Sequence, residues 1–371
     1  MAGRRRIAIG AAFALLAGTA PAAAQQGRME LGGRTLSLGQ LEMARLADLR
    51  QVLEGAPGLQ DRALAAARAV ANSPDARYVL AIYQLEIGQR RHDDALRREA
   101  LDVLIASDGT PAERLANYLG ARGDIAFRAR DFATAASDWG RLAELRPNEP
   151  QALMNLAQVR AAQADGPGAI DLIRRASAAQ AARAQPIPEV WHRQWLSIAY
   201  NGRMAEQTAV AAHALVEAHP TAENWRMALV AFRQIAAPQG GAEIDLLRLM
   251  RATRTFRQDA EYLRLAQLLL HAAALAEARA TLEAGLSHGL LNRAFSPTPE
   301  IFAELERAEA RPRTAAPTDP PGAANVRRGA ALVFAGDRAG AEAAFRAGGA
   351  DGFYADLARF WLAWLSLPPR G

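Results

Sequence analysis

The sequence predicts an all-α chain, a right-handed superhelical solenoid of helical hairpins finished by a C-terminal capping helix, and three observations predict it. Seven positions recur along the chain with fixed internal offsets. Alanine fills much of a 50% hydrophobic quota while aromatic residues make up only 6%. Prolines such as Pro147 and Pro220 fall where the second helix of a unit should end. Small apolar residues suit helices packed closely on one another more than a sheet, which favours β-branched and aromatic side chains. At 371 residues the chain can bury a large core, as several domains or as one elongated array.

Residues 1–24 read as an export signal. Arg4, Arg5 and Arg6 form a positive start, Ile7 to Leu16 an apolar run, and Ala22, Ala23 and Ala24 a small-residue cleavage site before Gln25. The run is too short for a transmembrane helix, and the arginines fit a twin-arginine signal loosely. The expectation is a periplasmic protein exported by the general secretory route, with no integral membrane segment once the signal is removed. Residues 25–60 form a leader and a first helix. Within them Met29 to Leu38 alternates around Gly32 and Gly33, as a short hairpin or a loose leader.

Residues 61–310 carry the array. Leu119, Arg122, Gly123, Ala126, Ala135, Trp139 and Leu142 set the pattern, and Leu153, Leu156, Ala157, Arg160, Ala169, Ile173 and Ala176 repeat it 34 residues later. The same offsets fit Tyr262 to Gly285 and Asn325 to Gly348, with a weaker copy from His192 to Leu215. Offsets of 3, 4 and 7 place side chains on one helical face, and the following gap leaves room for a turn, so each unit is a helical hairpin. Small residues sit where the helices should cross, Gly123 against Ala135 and Gly329 against Ala341 among them. A copy between Val79 and Asp102 is degenerate, and none precedes Pro74. Glu223 to Trp225 starts a helix that Pro238 to Gly241 breaks before a second helix from Ile244 to Met250, and the join from Ala176 to Pro188 predicts a helix extended to Pro186. Residues 311–323, with four prolines, read as a linker. Residues 324–371 hold the last repeat and an aromatic helix, whose stripe of Phe353, Leu357, Phe360, Trp361, Trp364 and Leu365 fits a cap, a partner-docking helix or a membrane-surface helix.

The unit resembles the tetratricopeptide repeat, with Gly123, Asp131, Phe132, Ala135, Trp139, Pro147 and Asn148 as the nearest match. Arg122, Arg160 and Arg328 stand where the consensus is apolar, which predicts looser packing in those units. The runs Pro220 to Arg233, Asp245 to Arg254 and Ala100 to Pro111 are further similar to an exported repeat family of sphingomonad-like α-proteobacteria.

The chemistry the chain lacks excludes many functions. It has no lysine and no cysteine, which removes phosphate-loop and Schiff-base lysines, thiol nucleophiles, cysteine-zinc sites and disulfides. The six histidines show no zinc-protease spacing and no acidic calcium loop is present, so no metal and no cofactor is expected. His92, Asp93 and Asp94 fall at a turn, where aspartate caps helices. There is no nucleophile elbow, phosphate loop or dinucleotide fingerprint, and no catalytic residue is assigned. Removing the three signal arginines takes the formal net charge from +5 to +2. No basic run interleaved with aromatics follows, so nucleic acid is not an expected partner.

The remaining candidate is a surface. Resemblance to peptide-binding repeat proteins implies a groove on the first helices of the pairs, lined here by Asn117, Asp124, Arg128, Asn155, Gln158, Arg193, Ser197, Arg264 and Gln267. Asparagine and arginine can bond an extended peptide's backbone and carboxylates. The sequence thus predicts a non-catalytic exported scaffold binding a protein or peptide partner in the cell envelope. A structural component of an envelope-assembly or polysaccharide-export complex, and a carboxylate-based envelope hydrolase, stay open as alternatives.

Overall fold

The computed structural model describes residues 27–147, 149–295, 297–310, 322–348 and 352–368. The expected signal, Asn148 and residues 311–321 of the expected linker lie outside them. The chain divides into two compact units between Pro186 and Ile187. Among the described residues there are eighteen helices and one two-stranded sheet, so the fold class is all-α.

The first unit opens with the leader as a hairpin, β1 (Gly27–Leu31) and β2 (Arg34–Leu38), paired antiparallel with Met29 opposite Leu36. Gly32 and Gly33 adopt φ of +68° and +78°, the left-handed pair that a two-residue turn matching strand twist requires. Met29, Leu31, Leu36 and Leu38 are all buried on one face. The helices that follow are α1 (Gln40–Gln51), α2 (Pro57–Arg68), α3 (Pro74–Arg91), α4 (Asp94–Ala106), α5 (Ala112–Arg128), α6 (Phe132–Leu145), α7 (Pro150–Ala162) and α8 (Gly166–Ala182). Consecutive helices pack as hairpins. Helix α8 stops four residues short of Pro186, because Ala184 turns left-handed and Gln185 bonds back to the Gln180 carbonyl.

The second unit contains α9 (Glu189–Asn201), α10 (Ala205–Ala218), α11 (Ala222–Ala236), α12 (Gly241–Ala252), α13 (Asp259–His271), α14 (Leu275–Ser287), α15 (Thr298–Glu309), α16 (Ala323–Phe334), α17 (Arg338–Arg346) and α18 (Phe353–Leu365). All five patterned copies are hairpins: α5/α6, α7/α8, α9/α10, α13/α14 and α16/α17. The degenerate copy is one too, since Ala81, Gln84, Leu85, Gly88, Arg97, Leu101 and Leu104 carry the same offsets across α3/α4.

One turn geometry serves all six hairpins. His92, Arg130, Ala164, Arg203, Ala273 and Gly336 each take φ between 53° and 84°. The next residue donates its N–H to the carbonyl five positions back, as Asp165 does to Arg160 and Asp337 to Leu332, which satisfies carbonyls at the helix end. In four hairpins that next residue is Asp93, Asp131, Asp165 or Asp337, whose side chain caps the second helix. Only one of the six left-handed positions is glycine. Ala164→Gly should therefore stabilise the first unit by up to about 1 kcal/mol, after glycine's entropy is subtracted from the relieved strain, and so raise its denaturation midpoint.

Packing inside the hairpins refines the crossing expected at small residues. A Cβ on Gly123 would lie 2.4 Å from the Trp139 indole nitrogen, and one on Gly329 would lie 2.5 Å from the Phe345 ring. The glycines make room for the aromatic one turn beyond Ala135 and Ala341, both fully buried. Arg122 does not loosen its unit. Its Nε and Nη2 bond the two oxygens of fully buried Asp138 at 2.8 and 2.7 Å, and its Nη1 reaches Asp102 at 2.7 Å. A bidentate ion pair stands where the consensus has apolar contact.

The end of the second unit does not simply follow α15. Helix α16 packs on α12, and α18 packs on α17, α16 and α10. The aromatic stripe is used up there: Phe360 stacks on His213 at 3.8 Å, Phe353 on Phe232 at 5.6 Å and Trp361 on Phe345 at 5.1 Å. Helix α18 therefore closes the last repeat and also fastens it back to the unit's early helices. The polar side of that joint is Asp245 on α12, which is buried. It accepts from Arg248 at 2.7 Å, Arg327 of α16 at 3.0 Å and the Tyr354 hydroxyl of α18 at 3.2 Å. Burial, then the Asp245 charge, pushes the Tyr354 phenol up to about 12, so it stays a donor at physiological pH.

Candidate functional site

Helix α9 is the first helix of the α9/α10 hairpin and α11 packs against both α10 and α9, and each of α9 and α11 buries one stripe and leaves another facing outward. On α11 the inward stripe is Asn224, Trp225, Ala228, Leu229 and Phe232. The opposite stripe, Glu223, Met227, Val230 and Gln234, faces Val190, Arg193, Ser197 and Tyr200 of α9 across a groove of about 790 Å³. Leu196 and Ala231 complete an apolar floor. A groove of this size and lining is within the range of ligand and peptide sites.

Polar pairs close both ends. At one end Arg193 bonds Glu189 at 2.7 Å, Glu223 at 3.2 Å and the side-chain oxygen of buried Asn224 at 2.9 Å. Asn224 in turn donates to Glu189 at 2.9 Å and to the His219 carbonyl at 2.8 Å, which fixes the arginine's approach. At the other end the Tyr200 hydroxyl donates to the Gln234 side-chain oxygen. Arg226 leans away, bonding Glu261 at 2.9 Å and the Thr255 carbonyl. Arg193 and Tyr200 stand seven positions apart on α9, so the slot between the two polar pairs runs for about 10 Å.

Of the expected groove residues, Arg193 and Ser197 line this slot. Ser197 is exposed and accepts from Asn201 at 3.3 Å. Arg264 and Gln267, on α13, are not among its lining residues. Arg264 forks onto Glu243 at 3.1 and 2.6 Å, and Arg233 of α11 reaches the same carboxylate at 2.7 Å, so an ion triad bridges these helices. Burial alone would raise the Glu243 carboxyl, but its bonds to Arg264 and Arg233 hold it below the usual carboxylate range. Gln267 accepts from the His271 ring through its backbone carbonyl at 2.7 Å.

The other five lie in the first unit. Asn117 accepts from Arg146 at 3.0 Å and Arg128 pairs with Asp94 at 2.8 Å. Asn155 accepts from Gln151 at 2.9 Å. Asp124 is exposed on α5 and Gln158 half-buried on α7. Each of the three expected arginines thus pairs with a carboxylate of this chain, Arg128 and Arg264 while staying about half exposed. Tyr200, Met227, Val230 and Gln234 went unassigned at the sequence level. The signal that could have found them is the outward face of α11, complementary to Trp225, Ala228, Leu229 and Phe232.

Beneath the slot, His192 of α9 is 6% exposed and its ring lies 5.3 Å from that of His219. Burial, reinforced by His219, pushes the His192 imidazole down. A histidine held neutral in the fold contributes full stability above its unfolded value of about 6.5 and loses it as pH falls below that value. The urea midpoint of the second unit should accordingly fall on acidification below about pH 6.5, and His192→Asn should fall less steeply over the same range. Parallel curves for the two proteins would refute the assignment.

No family model and no curated protein matches the chain. Among solved structures it is similar to a tetratricopeptide repeat protein from Parabacteroides merdae, at 14% identity over 87% of this chain and 100% of that one, with a TM-score of 0.30. It is also similar to BtubC from P. vanneervenii, at 14% identity over 76% of this chain and 99% of that one, with a TM-score of 0.22.

Proposed function

We propose that the chain is an exported, non-catalytic adaptor that holds a segment of a partner polypeptide in the slot between α9 and α11. The observation that carries this reading is the slot itself: an apolar floor, polar pairs at both ends, and helices held in place by buried residues such as Asn224 and Trp225. Repeats of helical pairs expose such faces on rigid elements, and a rigid groove lowers the ordering cost of binding. Export rests on the pattern of Arg4 to Ala24. That destination supplies envelope proteins as the pool of partners.

Ser197→Trp tests the reading, because Ser197 is exposed and its replacement fills the slot without touching the core. Proteins co-isolated from a periplasmic extract with the wild type should fall at least about tenfold with the variant, a loss of about 1.4 kcal/mol or more, while both melt at the same temperature. Identical partner lists would reject the groove.

A further inference from the structure

The charges around the slot specify the kind of segment it takes. Arg193 and Arg226 are the two cations of the lining and Glu223 is its one anion. Arg193 is neutralised by Glu189 and Glu223, and Arg226 by Glu261. The five side chains together carry one more negative than positive charge, so an acidic segment would meet repulsion and would have to break existing pairs. A charged side chain entering the floor of Leu196, Met227, Val230 and Ala231 would also lose its hydration without finding a counter-charge.

We infer that the slot selects an uncharged, apolar stretch of its partner in extended form, rather than an acidic segment or a terminal carboxylate. This rests on the reading that the slot holds a polypeptide. At about 3.3 Å per extended residue, a slot of about 10 Å seats three residues. Gln194, half-buried on the α9 wall, and Ser197 combine donor and acceptor groups that suit a peptide backbone. Met227 and Val230 offer an adaptable apolar surface for a leucine- or methionine-sized anchor. The floor supplies affinity through buried area, and the paired rim rejects charge.

The test uses a phage-displayed library of about twelve random residues, panned on the whole protein and counter-selected on Ser197→Trp. The inference expects enriched sequences to share an uncharged apolar triplet. A synthetic copy of one should bind with less than about a twofold change between low and high salt, since no unpaired charge is contacted, and at least about tenfold more weakly to Ser197→Trp. Enrichment of acidic sequences, or binding that weakens steeply with salt and fails with Arg193→Ala, would overturn the inference while leaving a polypeptide in the slot. Failure to enrich any sequence dependent on Ser197 would overturn both the inference and the reading beneath it.

Discussion

Asp245→Ala should destabilise the second unit by about 3–5 kcal/mol, the cost typical of removing one member of a buried ion cluster. Asp245 is 2% exposed and joins three helices that the sequence keeps far apart. Its carboxylate holds Arg327, 82 residues on, and Tyr354, 109 residues on, while Arg248 braces it from the same helix. The alanine leaves the Tyr354 hydroxyl and the Arg327 guanidinium without that acceptor in a confined space. Because the joint fastens α16 and α18 to α12 and α10, the loss should be uneven. Hydrogen exchange should rise most in α16 and α18, and the groove helix α9 should change least. A variant as stable as wild type by urea titration would show that the apolar stack of Phe353, Phe360 and Trp361 holds the joint alone.

The second large effect belongs to the first unit. Trp139 is 2% exposed, lies 5.6 Å from Phe127 and fills the space left by Gly123. Trp139→Ala should cost about 3–5 kcal/mol. Gly123→Ala alone should cost about 1–3 kcal/mol, because the new methyl would sit 2.4 Å from the indole nitrogen. The two changes should not add. With the indole gone the methyl occupies vacated space, so Gly123→Ala in the Trp139→Ala background should be near neutral. Additive losses in a double-mutant cycle would break the link between glycine and tryptophan.

The legible part of the fold was the part written in local periodicity. Gly123, Ala157, Ala266 and Gly329 each fall four positions into a helical pattern that marks its own hairpin. The α3/α4 hairpin hid because its closest approach is shifted: a Cβ on Gly88 would lie 2.7 Å from Arg97, three residues later in the first helix than in the other copies. The sequence predicts both α11 and α12 but no repeat copy across them, because Ala237 and Gly240 make the turn between them by a different route. Without that repeat pattern nothing in the sequence marks the outward face of α11, which supplies half of the groove. The return of α16 and α18 to α12 and α10 depends on contacts across about a hundred residues, for which no local pattern exists.

The engagement of the arginines was present in the sequence in a form that is easy to overlook. A repeat of 34 residues places side chains of neighbouring units side by side when they are about that far apart. Arg128 and Asp94 are 34 apart, Tyr200 and Gln234 are 34 apart, and Arg226 and Glu261 are 35 apart. Arg98 and Asp131, 33 apart, follow the same rule, and Arg98 with the Thr134 backbone holds the Asp131 carboxyl down at about 2. Opposite charges at one repeat's spacing mark Arg128, Arg98 and Arg226 as rungs between units, whereas Arg193 pairs with Glu223 at 30 residues and Arg264 with Glu243 at 21, separations that the repeat does not point to.

The central claim is that a partner polypeptide enters the slot between α9 and α11. Site-specific photo-crosslinking tests it most directly, with benzoylphenylalanine at Gln194, on the slot wall, and at Glu206, exposed on α10 and absent from the lining. The account predicts a covalent adduct to one partner segment from position 194, none from 206, and loss of the adduct when Ser197→Trp fills the slot. Equal adducts from both positions, or an adduct at 194 that survives Ser197→Trp, would contradict it.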